Sequence, residues 1–402
     1  MKITQVRADE IKDSRGAATI EVALVSADIE AKGAVPSGKS TGTKEALELR
    51  DPDGSVTTAR KNVTETIATI LMGQEWNSPE EIDRAIISLD GTKNKTRLGA
   101  NALLGVSIAA HRLFAKARNI PLWKLIAESN KTTPKAPRLF MNVMNGGVHA
   151  DFRLPFQEYM LIVAGKTARE SYERAQVAFG KLGTILKDCC GKVPMGDEGG
   201  YSPLLSDVEG PFSHLSMLSY GLHDMSIGID AAASEFFKKE QYIISGQAHS
   251  RAELLALYQT LIESYHVASI EDPFAEDDVL GFTELVQQVE GKALVIGDDL
   301  TVTNPELIKK FATSRSATGV IIKPNQIGTV TETCEAARVA REVGWDIVVS
   351  HRSGETLDTF VADLAFGLGA YGLKAGAPTQ SVRRVKYERL LEAEEEFLHN
   401  TN

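Results

Sequence analysis

The chain has 402 residues, 43% of them hydrophobic, and a formal net charge of −10. That length allows about two domains with substantial cores, and the net charge argues against a general affinity for nucleic acid or for anionic membranes. Three cysteines, two of them adjacent, match neither a disulfide framework nor a zinc pattern. No apolar run approaches the length of a membrane span and the first residues lack a signal core, so the cytoplasm is the expected compartment.

The N-terminal third predicts a small α+β domain. The segment ATIEVALVSADIEAKGAV partly alternates between apolar and polar residues and follows a turn sequence, DSRGAA, so it predicts antiparallel strands within residues 3–35. Helical patterns follow at 57–73, 79–89 and 100–117. The segment KTTPKAPR contains two prolines and predicts a linker at 131–138, between an N-terminal domain at 1–130 and a C-terminal domain at 139–402.

One loop of the first domain also fits a phosphate-binding motif. Residues Gly33 to Ser40 read GAVPSGKS and satisfy the pattern G-x-x-x-x-G-K-[ST]. On this alternative the protein is a nucleotide hydrolase, with Lys39 on the phosphates and Ser40 on Mg²⁺. That motif requires a parallel strand leading directly into a helix. The predicted antiparallel strands and the interruption at Pro36 therefore disfavour the alternative.

The C-terminal part contains short apolar runs that each end in a charged residue. These residues are Asp230, Glu271, Asp298, Lys323, the pair His351-Arg352, and Lys374, and successive ones are 23 to 41 residues apart. Such a repeat is typical of one buried parallel strand plus one helix per unit, and hence of a β/α barrel. Because the C-terminal ends of barrel strands converge on one face, we expect these charged side chains to share one site.

Carboxylates and lysines at one barrel mouth indicate a particular chemistry. Carboxylates from three successive strands supply the oxygen ligands that Mg²⁺ prefers. A lysine beside a metal can serve as a base when its surroundings lower its pKa. The combination suits removal of a proton next to a substrate carboxylate, with the cation stabilising the enediolate that results.

Several motifs in order identify a family. They are GDEGG at 196–200, SIEDPF at 269–274, GDDLTVTNP at 297–305, NQIGT at 325–329 and SHRSGE at 350–355. Together they resemble the signature segments of enolase, and the resemblance runs from DSRG at 13–16 to the last helix. It implies a C-terminal TIM-like barrel preceded by a smaller α+β domain, and reversible dehydration of 2-phosphoglycerate to phosphoenolpyruvate.

The resemblance also assigns roles to residues. Lys323 would remove the C2 proton and Glu198 would be the acid, with His149 and Glu158 as further catalytic residues. The residues that would bind substrate are Gln157, Arg352, Ser353 and Lys374. Mg²⁺ would be held by Asp230, Glu271 and Asp298, and a second Mg²⁺, which binds with substrate, by Ser40. Outside the motif context, a histidine such as His149 is more often a loop residue with local hydrogen bonds, whereas Glu198 fits an acidic turn and a functional residue equally well.

The lid of the family is matched by PSGKSTG at 36–42, with one departure. Family members usually carry a small residue where Lys39 stands. We hypothesise that this extra cation lies near the substrate phosphate and competes with, or partly replaces, the second Mg²⁺.

A second departure concerns subunit contacts. Aligned on the family's usual dimer, Glu21 would face Glu392 and Asp9 would face Glu395, so both pairs would be acid against acid. Like charges in a buried contact are destabilising, and we expect the usual dimer to be weakened, rearranged or absent.

Two rival functions remain open at this point. A superfamily member acting on another carboxylate substrate would share the barrel and the metal ligands, but should lack the combined SHRSGE, lid and GDEGG motifs. A scaffold without catalysis is the other rival, although every expected catalytic position is retained.

Overall fold

The computed structural model describes residues 1–39, 42–205 and 207–401. The chain begins with an antiparallel sheet in the order β1-β2-β3. Its strands are β1 (Gln5–Lys12), β2 (Ala18–Ser26) and β3 (Ile29–Ala34). A β-carbon on Gly33 would lie 2.7 Å from the carbonyl oxygen of Gly105, so glycine permits the close packing of β3 on a buried helix.

Helices complete the first domain. They are α1 (Thr57–Lys61), a π-helical turn (Asn62–Ile67), α2 (Ala68–Leu71), α3 (Pro79–Asp90), α4 (Ala100–Ala117) and α5 (Leu122–Asn130). The three predicted helical regions are confirmed, and α4 is buried on nearly every face. The predicted linker ends where the first barrel strand begins, and the domain division at 131–138 stays a prediction.

The second part of the chain forms the expected closed eight-stranded barrel. Its strands, in order around the barrel, are β4 (Arg138–Asn145), β5 (Glu158–Val163), β6 (Met225–Asp230), β10 (Val267–Glu271), β11 (Leu294–Gly297), β12 (Gly319–Ile322), β13 (Asp346–Ser350) and β14 (Gly372–Lys374). A separate small sheet follows β6 and consists of β7 (Phe237–Lys238), β8 (Gln241–Ile244) and β9 (Gln247–His249). That insertion accounts for the long first interval of the charged repeat.

One barrel strand departs from the parallel arrangement. β5 runs antiparallel to both β4 and β6, because the segment that joins it to β4 contains only a short 3₁₀ turn and no crossover helix. The start of β5 therefore lies at the same mouth as the ends of the parallel strands. Glu158, its first residue, pairs in register with Asn145 and Asp230.

Helices surround the barrel, and several of them begin at side-chain caps. They are α6 (Ala168–Cys190), α7 (Gly210–Ser219), α8 (Arg251–Tyr265), α9 (Val279–Val289), α10 (Pro305–Thr313), α11 (Val330–Glu342), α12 (Phe360–Leu368) and α13 (Ser381–Thr401). Ser250 forms a capping box with Glu253, and Asn304 and Thr329 each accept backbone N–H groups at their helix starts. Within the described ranges, each helix falls short of the length and apolar character needed to cross a bilayer.

Candidate active site at the barrel mouth

The predicted carboxylates lie together at the mouth of the barrel. Asp230 and Glu271 end adjacent strands and pair in register, and Asp298 directly follows the next strand. Their exposed fractions are 4%, 1% and 7%. Three acidic groups so deeply buried require compensating positive charge or cation binding.

Lys374 supplies part of that charge. Its ammonium nitrogen lies 3.2 Å from Asp230 Oδ2, 2.8 Å from Glu271 Oε2 and 3.2 Å from Glu158 Oε2. Burial alone would lower the pKa of Lys374, but the carboxylates around it outweigh burial and raise the pKa well above its ordinary value. Lys374 is therefore a fixed cation at the centre of the mouth.

Lys323 contacts the third carboxylate. Its ammonium donates a hydrogen bond to Asp298 Oδ2, and Gln326 Nε2 donates to Asp298 Oδ1 at 2.9 Å. Burial opposes the charge on Lys323, but Asp298 overcomes this effect and raises the pKa of the lysine. Asp298 is thus drawn towards Lys323, whereas Asp230 and Glu271 are drawn towards Lys374.

This donor set fits a hard divalent cation. Burial raises the pKa of Glu271 to about 8; the neighbouring charge of Asp230 adds to this effect, and Lys374 opposes it. The buried Oε1 atom of Gln157 accepts no hydrogen bond from any described residue. Carboxylate and amide oxygens are the ligands that Mg²⁺ takes. The residues present at the mouth therefore suit that ion.

Two further aspartates, which the sequence analysis missed, support the strand ends. Oxygen atoms of Asp272, Asp298 and Asp299 lie within 4.8 Å of one another. Asp272 accepts the backbone N–H groups of Asp298 and Asp299 at 2.9 and 2.7 Å. Asp272 therefore orients the turn that presents Asp298. Asp272 directly follows Glu271 in SIEDPF, and this position could have marked it as a residue of the site.

The mouth also holds a second acidic group. His149, Glu158 and Glu198 have ligand atoms within 4.8 Å of one another, and all three are buried. His149 Nδ1 lies 3.9 Å from Glu158 Oε1 and 3.8 Å from Glu198 Oε1. Burial raises the pKa of Glu158, and the charge of Glu198 adds to this effect. Two carboxyl groups this close favour a proton on one of them.

His351 and Arg383 lie behind Glu198. His351 Nε2 is 3.3 Å from Glu198 Oε2, and Arg383 contacts the other ring nitrogen of His351. Burial lowers the pKa of His351 to about 3; the charge of Glu198 opposes this effect, and the charge of Arg383 adds to it. Asn142 also donates to Glu198 at 3.0 Å. These neighbours fix the orientation of the Glu198 carboxyl group.

Arg352 and Ser353 are held by the first domain. Arg352 forms a two-pronged ion pair with Glu45 at 3.0 and 3.2 Å, and Ser353 Oγ accepts a hydrogen bond from Arg15 at 3.2 Å. Ser37 and Gly354 exchange backbone hydrogen bonds of 2.8 and 2.9 Å. The DSRG turn and the segment after β3 thus complete the mouth, and the contribution of Arg15 and Glu45 was not apparent from sequence.

Lys39 and Lys44, on either side of Ser40 in the lid region, contact acidic residues of the barrel loops. Lys39 Nζ lies 2.7 Å from Asp197 Oδ2 and 2.9 Å from the carbonyl oxygen of Val148. Further along, Lys44 Nζ lies 3.2 Å from Asp277 Oδ1. Ser40, the predicted ligand of a second magnesium, lies outside the described residues, so its assignment stays a prediction.

Comparison with known proteins decides the family. The profile of "Enolase, N-terminal domain" matches residues 3–126, and that of "Enolase, C-terminal TIM barrel domain" matches residues 134–402. The chain is 42% identical to the enolase of Methanopyrus kandleri over 98% of this chain and 96% of that protein. It is 42% identical to the enolase of Thermococcus gammatolerans, over 98% and 95%, and 41% identical to enolase B of Dictyostelium discoideum, over 100% and 97%.

The chain belongs to the enolase family. As an enolase-family member it is a hydro-lyase with a TIM barrel, which confirms the predicted fold class and enzyme class. The phosphate-loop alternative is not supported, because Gly33 and Ala34 end an antiparallel strand and the next helix begins only at Thr57. Ser37 of the same segment instead forms an antiparallel bridge with Gly354.

Proposed function

We propose that this mouth catalyses the reversible, magnesium-dependent dehydration of 2-phosphoglycerate to phosphoenolpyruvate. One observation carries the proposal: two lysines and three carboxylates meet at the strand ends, and a second acidic cluster, from the start of β5 and the segments after β4 and α6, adjoins them at Lys374. A base on one side and an acid on the other are what a β-elimination of water requires.

In the forward direction, Lys323 accepts the proton from C2 of the substrate. The electron pair left at C2 forms the C2–C3 double bond, and the C3 hydroxyl leaves as water after taking a proton from Glu198. Magnesium, when bound, supplies positive charge that stabilises the charge developing on the substrate carboxylate. The contact of Lys323 with Asp298 must be relaxed before the lysine can act as a base.

The remaining residues bind and orient. Lys374 holds the substrate carboxylate, a role supported by its buried and permanently charged ammonium. Arg352 and Ser353 bind the phosphate, for which a guanidinium is well shaped. His149, Glu158 and Gln157 line the wall of the pocket around Glu198, where burial excludes water.

Two magnesium ions are proposed. Asp230, Glu271 and Asp298 would hold the first. Ser40 would contribute to the second, which would bind together with substrate. Oxygen atoms of Asp272 and Asp299 lie within 4.8 Å of Asp298 at the same rim.

The proposal is tested with purified protein, 2-phosphoglycerate and Mg²⁺, following the ultraviolet absorbance of phosphoenolpyruvate. Product is expected with Mg²⁺ and not after chelation. A superfamily enzyme for another carboxylate substrate would leave 2-phosphoglycerate unchanged under the same conditions, and that result would overturn the assignment of substrate.

A further inference from the structure

Lys39 links two loops that carry proposed catalytic residues. Its ammonium donates to Asp197 Oδ2 at 2.7 Å and to the carbonyl oxygen of Val148 at 2.9 Å. Asp197 directly precedes Glu198 in the chain, and Val148 directly precedes His149. A single side chain of the first domain thus contacts both barrel loops, one residue away from each proposed catalytic group.

Asp197 is the junction of these contacts. Its backbone N–H donates to the carbonyl oxygen of His149 at 3.0 Å, and its own carbonyl oxygen accepts from Gln380 Nε2 at 3.0 Å. Gln380 in turn lies beside Arg383, which contacts His351. Movement of Asp197 would therefore be transmitted to His149 and to the residues behind Glu198.

The backbone before Lys39 is itself anchored. Arg15 donates hydrogen bonds to the carbonyl oxygens of Ser37 and Gly38, at 3.4 and 3.3 Å, and Arg15 is paired with Asp13. Lys39 therefore extends from a fixed point of the first domain. The ammonium and the Asp197 carboxylate remain 37% and 31% exposed, so their interaction is modest in strength and sensitive to salt.

We infer that Lys39 is a positioning residue: through Asp197 and Val148 it holds the Glu198 and His149 loops in register with the first domain. This inference rests on the proposed function for its catalytic consequence, but the contact can be tested without substrate. The inferred role is structural and does not require a direct effect of Lys39 on the second magnesium, because both hydrogen-bond partners of the Lys39 ammonium are protein oxygens.

The test uses Lys39→Met, Asp197→Asn, the double variant and Lys39→Arg. Lys93→Met is the matched control, since Lys93 pairs at 3.8 Å with Glu306 on an exposed surface. Hydrogen exchange is followed by mass spectrometry in peptides covering 145–153 and 192–201, without substrate. Each single variant should exchange about threefold to fivefold faster in both segments. The double variant should exchange no faster than either single variant, and Lys39→Arg should exchange as slowly as the wild type.

Unchanged exchange in Lys39→Met, or additive effects in the double variant, would overturn the inference. So would a shifted Mg²⁺ dependence of activity in Lys39→Met with no change in exchange, since that result indicates an effect on the metal alone. Faster exchange in the single variants, together with a wild type that forms no phosphoenolpyruvate, would overturn the proposed reaction but support the positioning contact. Lys93→Met must match the wild type for the comparison to support the inference.

Discussion

Lys323 donates a hydrogen bond to Asp298, so the proposed base contacts a proposed metal ligand from the next strand end. A similar arrangement occurs at other strand ends of the same mouth, where Lys374 contacts Asp230 and Glu271. In both cases an ammonium balances carboxylates that are suited to bind a cation. The mouth is therefore arranged so that a divalent cation can replace lysine as the partner of these acids.

Magnesium should raise the unfolding temperature of the wild type. Binding to the native state alone stabilises it, by about 2.7 kcal/mol at a hundredfold excess over the dissociation constant. Glu271→Gln should lose most of this shift, because it removes a ligand at the centre of the acidic set. Glu306→Gln, at an exposed site, serves as control. Calorimetry with and without Mg²⁺ measures the effect, and an equal shift in Glu271→Gln would contradict the assignment.

His351 should make stability depend on pH. It is buried against Glu198, Arg383 and Lys374, and its pKa falls from 6.5 to about 3. The unfolded chain therefore binds the proton first as the pH falls. The contribution of His351 to the free energy of unfolding is fully present above pH 6.5. It is lost at up to about 1.4 kcal/mol per pH unit as the pH falls towards 3. Denaturant unfolding of His351→Asn should show a shallower loss between these limits, and equal slopes would refute the prediction.

Arg352→Lys should impair substrate binding strongly. Arg352 forms a two-pronged contact with Glu45, and lysine cannot reproduce the paired donors that suit a carboxylate or a phosphate. Loss of a charged hydrogen bond is worth about 1.5–3 kcal/mol, or roughly a tenfold to hundredfold fall in kcat/KM. Steady-state kinetics checks this, with the change expected mainly in KM. A variant with wild-type KM would remove Arg352 from phosphate binding.

Association between subunits should be weak and should strengthen with salt. Three of the four acids expected to face each other have partners within the chain: Glu21 binds Lys32, Glu392 binds Arg389 and Glu395 binds Arg169. Those pairs are partly exposed, so they only partly offset repulsion between the acids across a dimer. Sedimentation at two ionic strengths tests the prediction. Glu392→Arg should tighten association and Glu290→Arg should not; a tight dimer at low salt would contradict it.

The positions of the strand ends could be predicted because they depend on a local rule. Buried parallel strands are short apolar runs, and Asp230, Glu271 and Lys374 end such runs as expected. The reversed direction of β5 could not be predicted from the repeat, because it depends on a connection without a crossover helix. Sequence periodicity is the same for either strand direction.

Long-range partners account for what sequence reasoning missed. Arg15 and Glu45 lie in the first domain, yet they contact Ser353 and Arg352, more than 300 residues further along the chain. Asp272 accepts the backbone N–H groups of Asp298 and Asp299, and its position in SIEDPF does not reveal these partners. In α13, Tyr387 and Leu390 are buried whereas Leu398 is 48% exposed, so apolar character alone does not show which residues of this helix pack on the barrel.

Exchange of the C2 proton tests the central claim most directly. In D₂O with Mg²⁺ and 2-phosphoglycerate, Glu198→Gln should still incorporate deuterium at C2 while forming little phosphoenolpyruvate, because the base remains. Lys323→Ala should do neither, with a loss of about 10²–10⁴-fold in exchange. Nuclear magnetic resonance of the recovered substrate distinguishes the two variants. Deuterium incorporation by Lys323→Ala at the wild-type rate would show that another group removes the proton.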